Sequence, residues 1–152
     1  MDIQASLEQV AGILMRANLH FQTHRDGRSY RLLFGHDAVF IHFGRWGDGV
    51  RVHLSSPALD ELDREDPGYA VLLNRLNEFN KEYPFVKWMV EDEMLIASHD
   101  LLGDELRACE VVGAVHTMTR AVRMVADEFA DVTGGRRYDE FPAEDLEEVE
   151  DE

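Results

Sequence analysis

The sequence lacks the residues on which a disulfide framework or a membrane span depends. Its 152 residues include one cysteine, Cys109, so no disulfide can form within the chain. No stretch reaches the ~18 consecutive apolar residues of a transmembrane helix. The first ten residues include an acid and show no basic segment followed by an apolar run, unlike a secretory signal. We therefore expect a cytoplasmic protein without a membrane anchor.

Positive charge is also scarce. The chain carries 15 Lys and Arg against 31 Asp and Glu, a net charge of −16. The acids are concentrated near the end, because residues 127–152 hold twelve of them against two arginines. A nucleic-acid-binding protein normally shows a basic surface, so we expect no nucleic acid partner. An acidic surface favours solubility and suits basic or apolar protein partners.

Motifs that carry catalysis or bind metals are missing as well. There is no HExxH pattern and no Cys/His spacing typical of zinc. The serines at 55, 56 and 98 lie outside any nucleophile-elbow motif. The glycine-rich stretch 44–49 lacks the following helix and Lys-Ser/Thr pair of a phosphate loop. We therefore expect no enzyme activity, no cofactor and no metal, and interpret Cys109 as a semi-exposed thiol.

The hydrophobic pattern predicts three helices, at 3–17, 67–83 and 103–131. Each shows apolar residues at the three- and four-residue spacing of one buried helical face. In the last helix this stripe includes Val115 and Met118, with Arg120 on the opposite face.

Alternating apolar and polar residues predict two groups of strands. Segments near 19–24, 30–34, 39–43 and 50–54 are separated by tight turns and predict an antiparallel meander. Residues 85–90 and 94–98 predict a hairpin with an acidic tip. The order α-ββββ-α-ββ-α is typical of an α+β fold with helices on one face of an antiparallel sheet. Residues 55–67 contain two prolines and are predicted to be a loop.

The chain divides into one predicted domain and a tail. The apolar patterning supports a domain over residues 1–132. From residue 133 onward charge is high and apolar residues are few, which predicts a mobile acidic tail over 133–152.

The segment LLNRLNEFNKEYPFVKWMVEDEMLIASHDL, residues 72–101, carries a family resemblance. Its Leu-Asn-x-Leu-Asn pattern at 73–77 runs into the hairpin and the long helix. In this order it resembles the YbjN-like domain family of bacteria, over about residues 5–131. The resemblance implies a fold similar to type III secretion chaperones and a role in protein interaction or regulation. It supplies no catalytic residues.

The first functional hypothesis is therefore a chaperone-like or regulatory adaptor that binds other proteins. Type III secretion chaperones are commonly dimeric, so the resemblance also implies a homodimer. Apolar residues that the predicted fold leaves outside the core would form the partner-binding or dimer surface. These residues are Phe40, Val86, Trp88, Val71 and Met124.

Two alternatives remain open. The polar face of the meander could bind an anionic small molecule or carry out catalysis, using Arg31, His42, Arg51 and His53. A purely structural domain is the other alternative.

Two asparagines mark the junction of the second helix and the hairpin. The amides of Asn77 and Asn80 are predicted to satisfy backbone groups where the helix gives way to the strand at Phe85. A ligand-binding role for them is the alternative.

Overall fold

An antiparallel sheet of seven strands, covered by helices, organises the protein. The computed structural model describes residues 2–131 and 133–141. The helices are α1 (Ile3–Arg16), α2 (Pro67–Glu82) and α3 (Ala108–Phe129). The strands are β1 (Gln22–Thr23), β2 (Ser29–Phe34), β3 (Asp37–Trp46), β4 (Gly49–Asp60), β5 (Lys87–Glu91), β6 (Met94–Leu102) and β7 (Arg136–Arg137). Their spatial order is β1-β2-β3-β4-β6-β5, with β7 beside β4. The predicted α+β class is confirmed.

The core lies between the sheet and its helices. Along the central strands, Ile41, Phe43, Val52 and Leu54 are fully buried and point to one face. The long helix α3 packs across β3, β4 and β6, while α1 contacts α3 and β3. Helix α2 contacts β5 and reaches α3 through the rings of Phe79 and Phe129. The opposite face of the sheet carries polar side chains.

Helix α3 begins five residues later than its apolar pattern predicts. Residues 103–107 form a turn that buries Leu106, whose carbonyl accepts a hydrogen bond from Gln9 in α1 at 2.9 Å. The helix starts where the Glu110 carboxylate accepts the backbone N–H of Arg107, satisfying a group at the helix entrance. The apolar stripe thus extends into a turn, because that turn also packs on the core.

The predicted loop at 55–67 is wrong in its first half. Strand β4 continues to Asp60, with a register irregularity between Pro57 and Leu59. Proline is tolerated in a strand at such irregularities, where its missing N–H breaks no ladder hydrogen bond. The two prolines of 55–67 therefore do not exclude a strand in the first half of this segment.

Part of the predicted mobile tail belongs to the folded domain. Thr133 is fully buried, and β7 pairs with Leu59 and Asp60 of β4. The N–H of Tyr138 donates to the carbonyl of Ala58 at 3.0 Å. The boundary predicted at residue 132 is thus too early, since backbone hydrogen bonds and ion pairs both hold 133–141 to the domain. The rest of the predicted tail, 142–152, lies outside the described residues.

Replacing Met118 by Asp should destabilise the protein by more than about 3 kcal/mol. Met118 is fully buried in α3 against the sheet, so the substitution buries an unpaired charge. Arg120→Ala is the matched control, because Arg120 is exposed on the same helix, and it should change the free energy of unfolding by less than about 0.5 kcal/mol. Urea unfolding measures both. Equal losses would show that the buried face of α3 is misassigned.

Two truncations distinguish the folded part of the C-terminus from residues 142–152. Removing residues 133–152 should lower the melting temperature by several degrees, because it removes buried Thr133 and the β7 pairing. Removing only 142–152, which are mostly acidic, should shift it by less than about 2 °C. Thermal unfolding by circular dichroism gives both values. An equal drop for the two truncations would contradict the assignment of 133–141 to the domain.

Candidate functional site

The face of the sheet away from the helices carries a row of hydrogen-bonded polar side chains. Ser29, His42, His53 and Asp100 are successive cross-strand neighbours on β2, β3, β4 and β6. The Ser29 hydroxyl lies 2.8 Å from Nδ1 of His42, and Nδ1 of His53 lies 2.7 Å from the Asp100 carboxylate. We call this side of the sheet the open face.

Acidic side chains neutralise the arginines of the open face. Arg51 donates to the Asp100 carboxylate at 2.6 Å, and Arg31 donates to Glu140 at 2.7 Å. Partial burial acts to raise the pKa of Asp100, but the hydrogen bonds from Arg51 and His53 outweigh it and hold that pKa below its ordinary value.

The residues of the anion-site hypothesis therefore share a face but are already engaged. Arg31, His42, Arg51 and His53 all lie on the open face, as the strand alternation predicts. Each has a side-chain partner within the protein. Within residues 2–131 and 133–141 no group of three His, Cys, Asp or Glu side chains could hold a metal ion.

The predicted partner surface is only partly at the surface. Val86 and Trp88 are 2% and 5% exposed, so the interpretation that placed them outside the core is wrong. Trp88 packs beneath α2, with its ring centroid 6.4 Å from that of Phe79. Val71 and Met124 are exposed on their helices. Phe40 is half-buried on the open face.

On the hairpin, the exposed apolar residues are those that alternate in sequence with the buried Val86 and Trp88. Met89 is 42% exposed on the same side of β5 as Lys87, and Phe85, in the turn before β5, is 69% exposed. Trp46 at the end of β3 and Leu102 at the end of β6 are 67% and 65% exposed. One feature of the sequence could have predicted which set is exposed. Lys87 alternates together with Phe85 and Met89, and a lysine normally marks the solvent side.

Two grooves border the end of β6. The first lies on the open face and has a volume of about 380 Å³. We call it the open-face groove; its lining residues are Trp46, Arg51, Lys87, Asp100, Leu101 and Leu102. The second has a volume of about 430 Å³ and lies between β6 and the first half of α3. We call it the helix-side groove; it is lined by Phe85, His99, Leu101, Cys109, Gly113 and Ala114, among others.

The helix-side groove has a mainly apolar lining. Partial burial lowers the pKa of His99 below its ordinary value, which favours the neutral imidazole there. Cys109 is an exposed free thiol on α3, which agrees with the interpretation from the sequence. A Cβ added at Gly113 would meet no atom within 4 Å, so the groove is open above this glycine.

An unpaired stretch of strand separates the two grooves. On one side, β4 pairs with β6 as far as Leu102. On the other side, β5 pairs with β6 only from Ser98 toward the hairpin tip. In the described part of the chain, no strand lies beside the outer edge of residues 99–102.

The neighbouring edge of β5, in contrast, is occupied. The Asn80 side chain accepts the N–H of Trp88 at 2.8 Å and donates to its carbonyl at 3.4 Å. The N–H of Val86 donates to the carbonyl of Tyr83 at 3.3 Å. The structural role predicted for Asn80 is confirmed, and the end of α2 thereby blocks the first half of this edge. No such contact is found for Asn77 among the residues that the structure describes.

A helix-backed antiparallel sheet with an unpaired strand edge can accept an extended peptide as an added strand. The family described as "TY-Chap1: T3SS (YopN, CesT) and YbjN peptide-binding chaperone 1" matches residues 4–140. The chain belongs to this family, which confirms the YbjN-like resemblance and the chaperone-like fold. No curated protein matches the sequence. None of the described helices is long and apolar enough to cross a membrane.

Asn80→Ala should destabilise the protein by about 1–2 kcal/mol, because it removes two hydrogen bonds and exposes the backbone of Trp88. Asn77→Ala is the control one turn away on α2 and should be nearly silent. Chemical denaturation of both variants measures the difference. Equal stability of the two variants would mean that Asn80 does not hold the β5 edge.

Proposed function

We propose that the protein is a non-catalytic chaperone or adaptor that binds an extended segment of a partner protein in a bacterial cytoplasm. The observation that carries this proposal is the gathering of exposed apolar side chains around the unpaired end of β6. Trp46 and Leu102 share the open-face groove, and Phe85 lines the helix-side groove. The family description supports a peptide as the class of ligand.

The exposed surface is sufficient for a reversible interaction. Each large apolar side chain gains ~1.5–3 kcal/mol when it passes from exposed to fully buried. Trp46, Phe85 and Leu102 are each about two-thirds exposed, so a partner that covers them gains several times the thermal energy. Ordering the partner costs part of this gain, which favours moderate affinity and reversible binding.

The geometry gives the anion-binding or enzymatic alternative less support. Its two arginines are paired with Glu140 and Asp100, so an incoming anion would have to compete with carboxylates of the protein itself. The Ser29 hydroxyl lies beside His42 and also donates a hydrogen bond to Asp26. These three side chains lie on an exposed strand surface rather than in a pocket that could enclose a substrate.

Homodimerisation is part of the same proposal. Val71 and Met124 are 54% and 42% exposed on α2 and α3, on helix surfaces where a second copy would cover them. Sedimentation velocity at micromolar concentration should give a mass near twice 17.4 kDa. A mass of one chain would remove the dimer from the proposal and leave the peptide site unaffected.

Selection from a random decapeptide library displayed on phage tests the proposed function. Peptides recovered against the protein should be rich in apolar residues and should bind with micromolar affinity. Trp46 fluorescence should shift to the blue on binding, because the exposed indole leaves water, and Trp46→Phe should remove most of the shift. The buried Trp88 should contribute little.

Scrambled versions of the recovered peptides serve as controls. Recovery of no saturable binder, or of binders that leave the fluorescence of Trp46 unchanged, would contradict the proposal.

A further inference from the structure

We infer that the partner segment binds as an added β-strand along residues 99–102 of β6, in line with β5, with alternate side chains in the two grooves. This inference rests on the proposed function and names its site. Three features carry it: the direction of the backbone groups on β6, the positions of the two grooves, and the chemistry of their walls.

The backbone of β6 offers unused hydrogen-bonding groups at this edge. The N–H of Gly103 donates to the carbonyl of Val50 at 2.7 Å, which fixes the phase of the β4–β6 ladder. In an antiparallel ladder every second residue faces the same neighbour, so His99 and Leu101 direct their backbone groups toward β4. Asp100 and Leu102 direct theirs to the opposite side, where β5 has already ended.

The pairing of β5 with β6 independently gives the same assignment of the β6 residues whose backbone groups face this edge. Trp88 turns its N–H outward to Asn80, so Lys87 is the residue that faces β6, opposite Ser98. Ser98, Asp100 and Leu102 are thus one set that faces the same edge. Lys87 pairs with Ser98, the first residue of this set. Asp100 and Leu102 have no described strand beside them at this edge, which leaves room for an added strand of about four residues.

The grooves match the side-chain period of such a strand. Successive residues of a β-strand point to opposite faces of the sheet. One groove lies on the open face and the other between β6 and α3, and both include Asp100 and Leu101 in their walls. An added strand would therefore send one residue into each groove in turn.

The walls define the chemistry of the partner. The α3 side of one groove is made mostly of small side chains, which suits a branched aliphatic residue; these α3 residues are Cys109, Glu110, Gly113, Ala114 and Thr117. Trp46 and Lys87 flank the other groove, and Lys87 has no ion-pair partner among the described residues. An aromatic residue fits there, against the indole and beneath the cation. The net charge of −16 disfavours an acidic partner.

Gly113→Phe provides the direct test. A Cβ added at Gly113 meets no atom within 4 Å, and Gly113 lines the helix-side groove, so a phenylalanine there should extend its ring into the groove. Replacing a glycine inside a helix also favours the helix. The variant should keep or raise its melting temperature and lose more than tenfold in affinity for the decapeptide selected above. His116→Phe, at an exposed position on the same helix outside the groove, is the control and should bind normally.

Cys109 supplies a second readout in the unmodified protein. It is the only cysteine and lines the helix-side groove, so bound decapeptide should slow its alkylation by N-ethylmaleimide at least fivefold. If the peptide binds but Gly113→Phe keeps full affinity and Cys109 reacts unchanged, this site is wrong while the proposed function stands.

Two other outcomes would also overturn the inference. If no peptide binds the unmodified protein, the proposed function fails together with the site. If Gly113→Phe instead converts a dimer to a monomer, the occupant of the edge is a second copy of the chain.

Discussion

The packing of α3 across the sheet is the interaction on which the rest of the structure depends. Its buried face, from Val111 to Phe129, covers the apolar sides of β3, β4 and β6 and joins the packing of α1 and α2. This burial fixes which face of the sheet is dry, and so determines that the histidines and arginines of the meander face water. The same helix also forms a groove, because Gly113 and Ala114 near its start are too small to fill the space above β6.

Unequal strand lengths leave part of the sheet edge beside this packing unpaired. Strand β6 has nine residues and its outer neighbour β5 has five, so the ladder ends while β6 continues. Folded proteins usually protect exposed strand edges, because an unpaired edge invites another chain. Here the end of α2 protects β5 through Asn80, whereas no described strand pairs with this edge of β6 beyond Ser98. The contrast between these two adjacent edges is the reason for proposing a partner site on β6 and none on β5.

Local periodicity was enough to predict most of the fold. The three helices and the meander follow from apolar spacing, because burial on one face imposes that spacing directly. The side of β5 that faces the core could not be chosen with the same certainty, since Val86 and Trp88 alternate with the equally apolar Phe85 and Met89. Trp88 is buried because α2 ends above it, and this depends on how the two elements pack rather than on the strand itself.

Contacts between distant residues account for the other differences. Residues 133–141 look like tail because they contribute little apolar surface, yet their backbone pairs with β4 and Glu140 binds Arg31. The open-face residues were predicted on the correct face, but their neutralisation by Glu140 and Asp100 joins positions far apart in the chain. The grooves at β6 have the same origin, because each is lined by several elements that only the tertiary fold brings together.

Hydrogen exchange at individual backbone amides of β6, followed by nuclear magnetic resonance, tests the central claim most directly. The amides of His99 and Leu101 bond to β4 and should exchange slowly with or without the selected decapeptide. The amides of Asp100 and Leu102 face the unpaired edge and should become at least tenfold more protected when the decapeptide saturates the protein. Unchanged exchange at Asp100 and Leu102 under saturation would contradict strand addition at this edge.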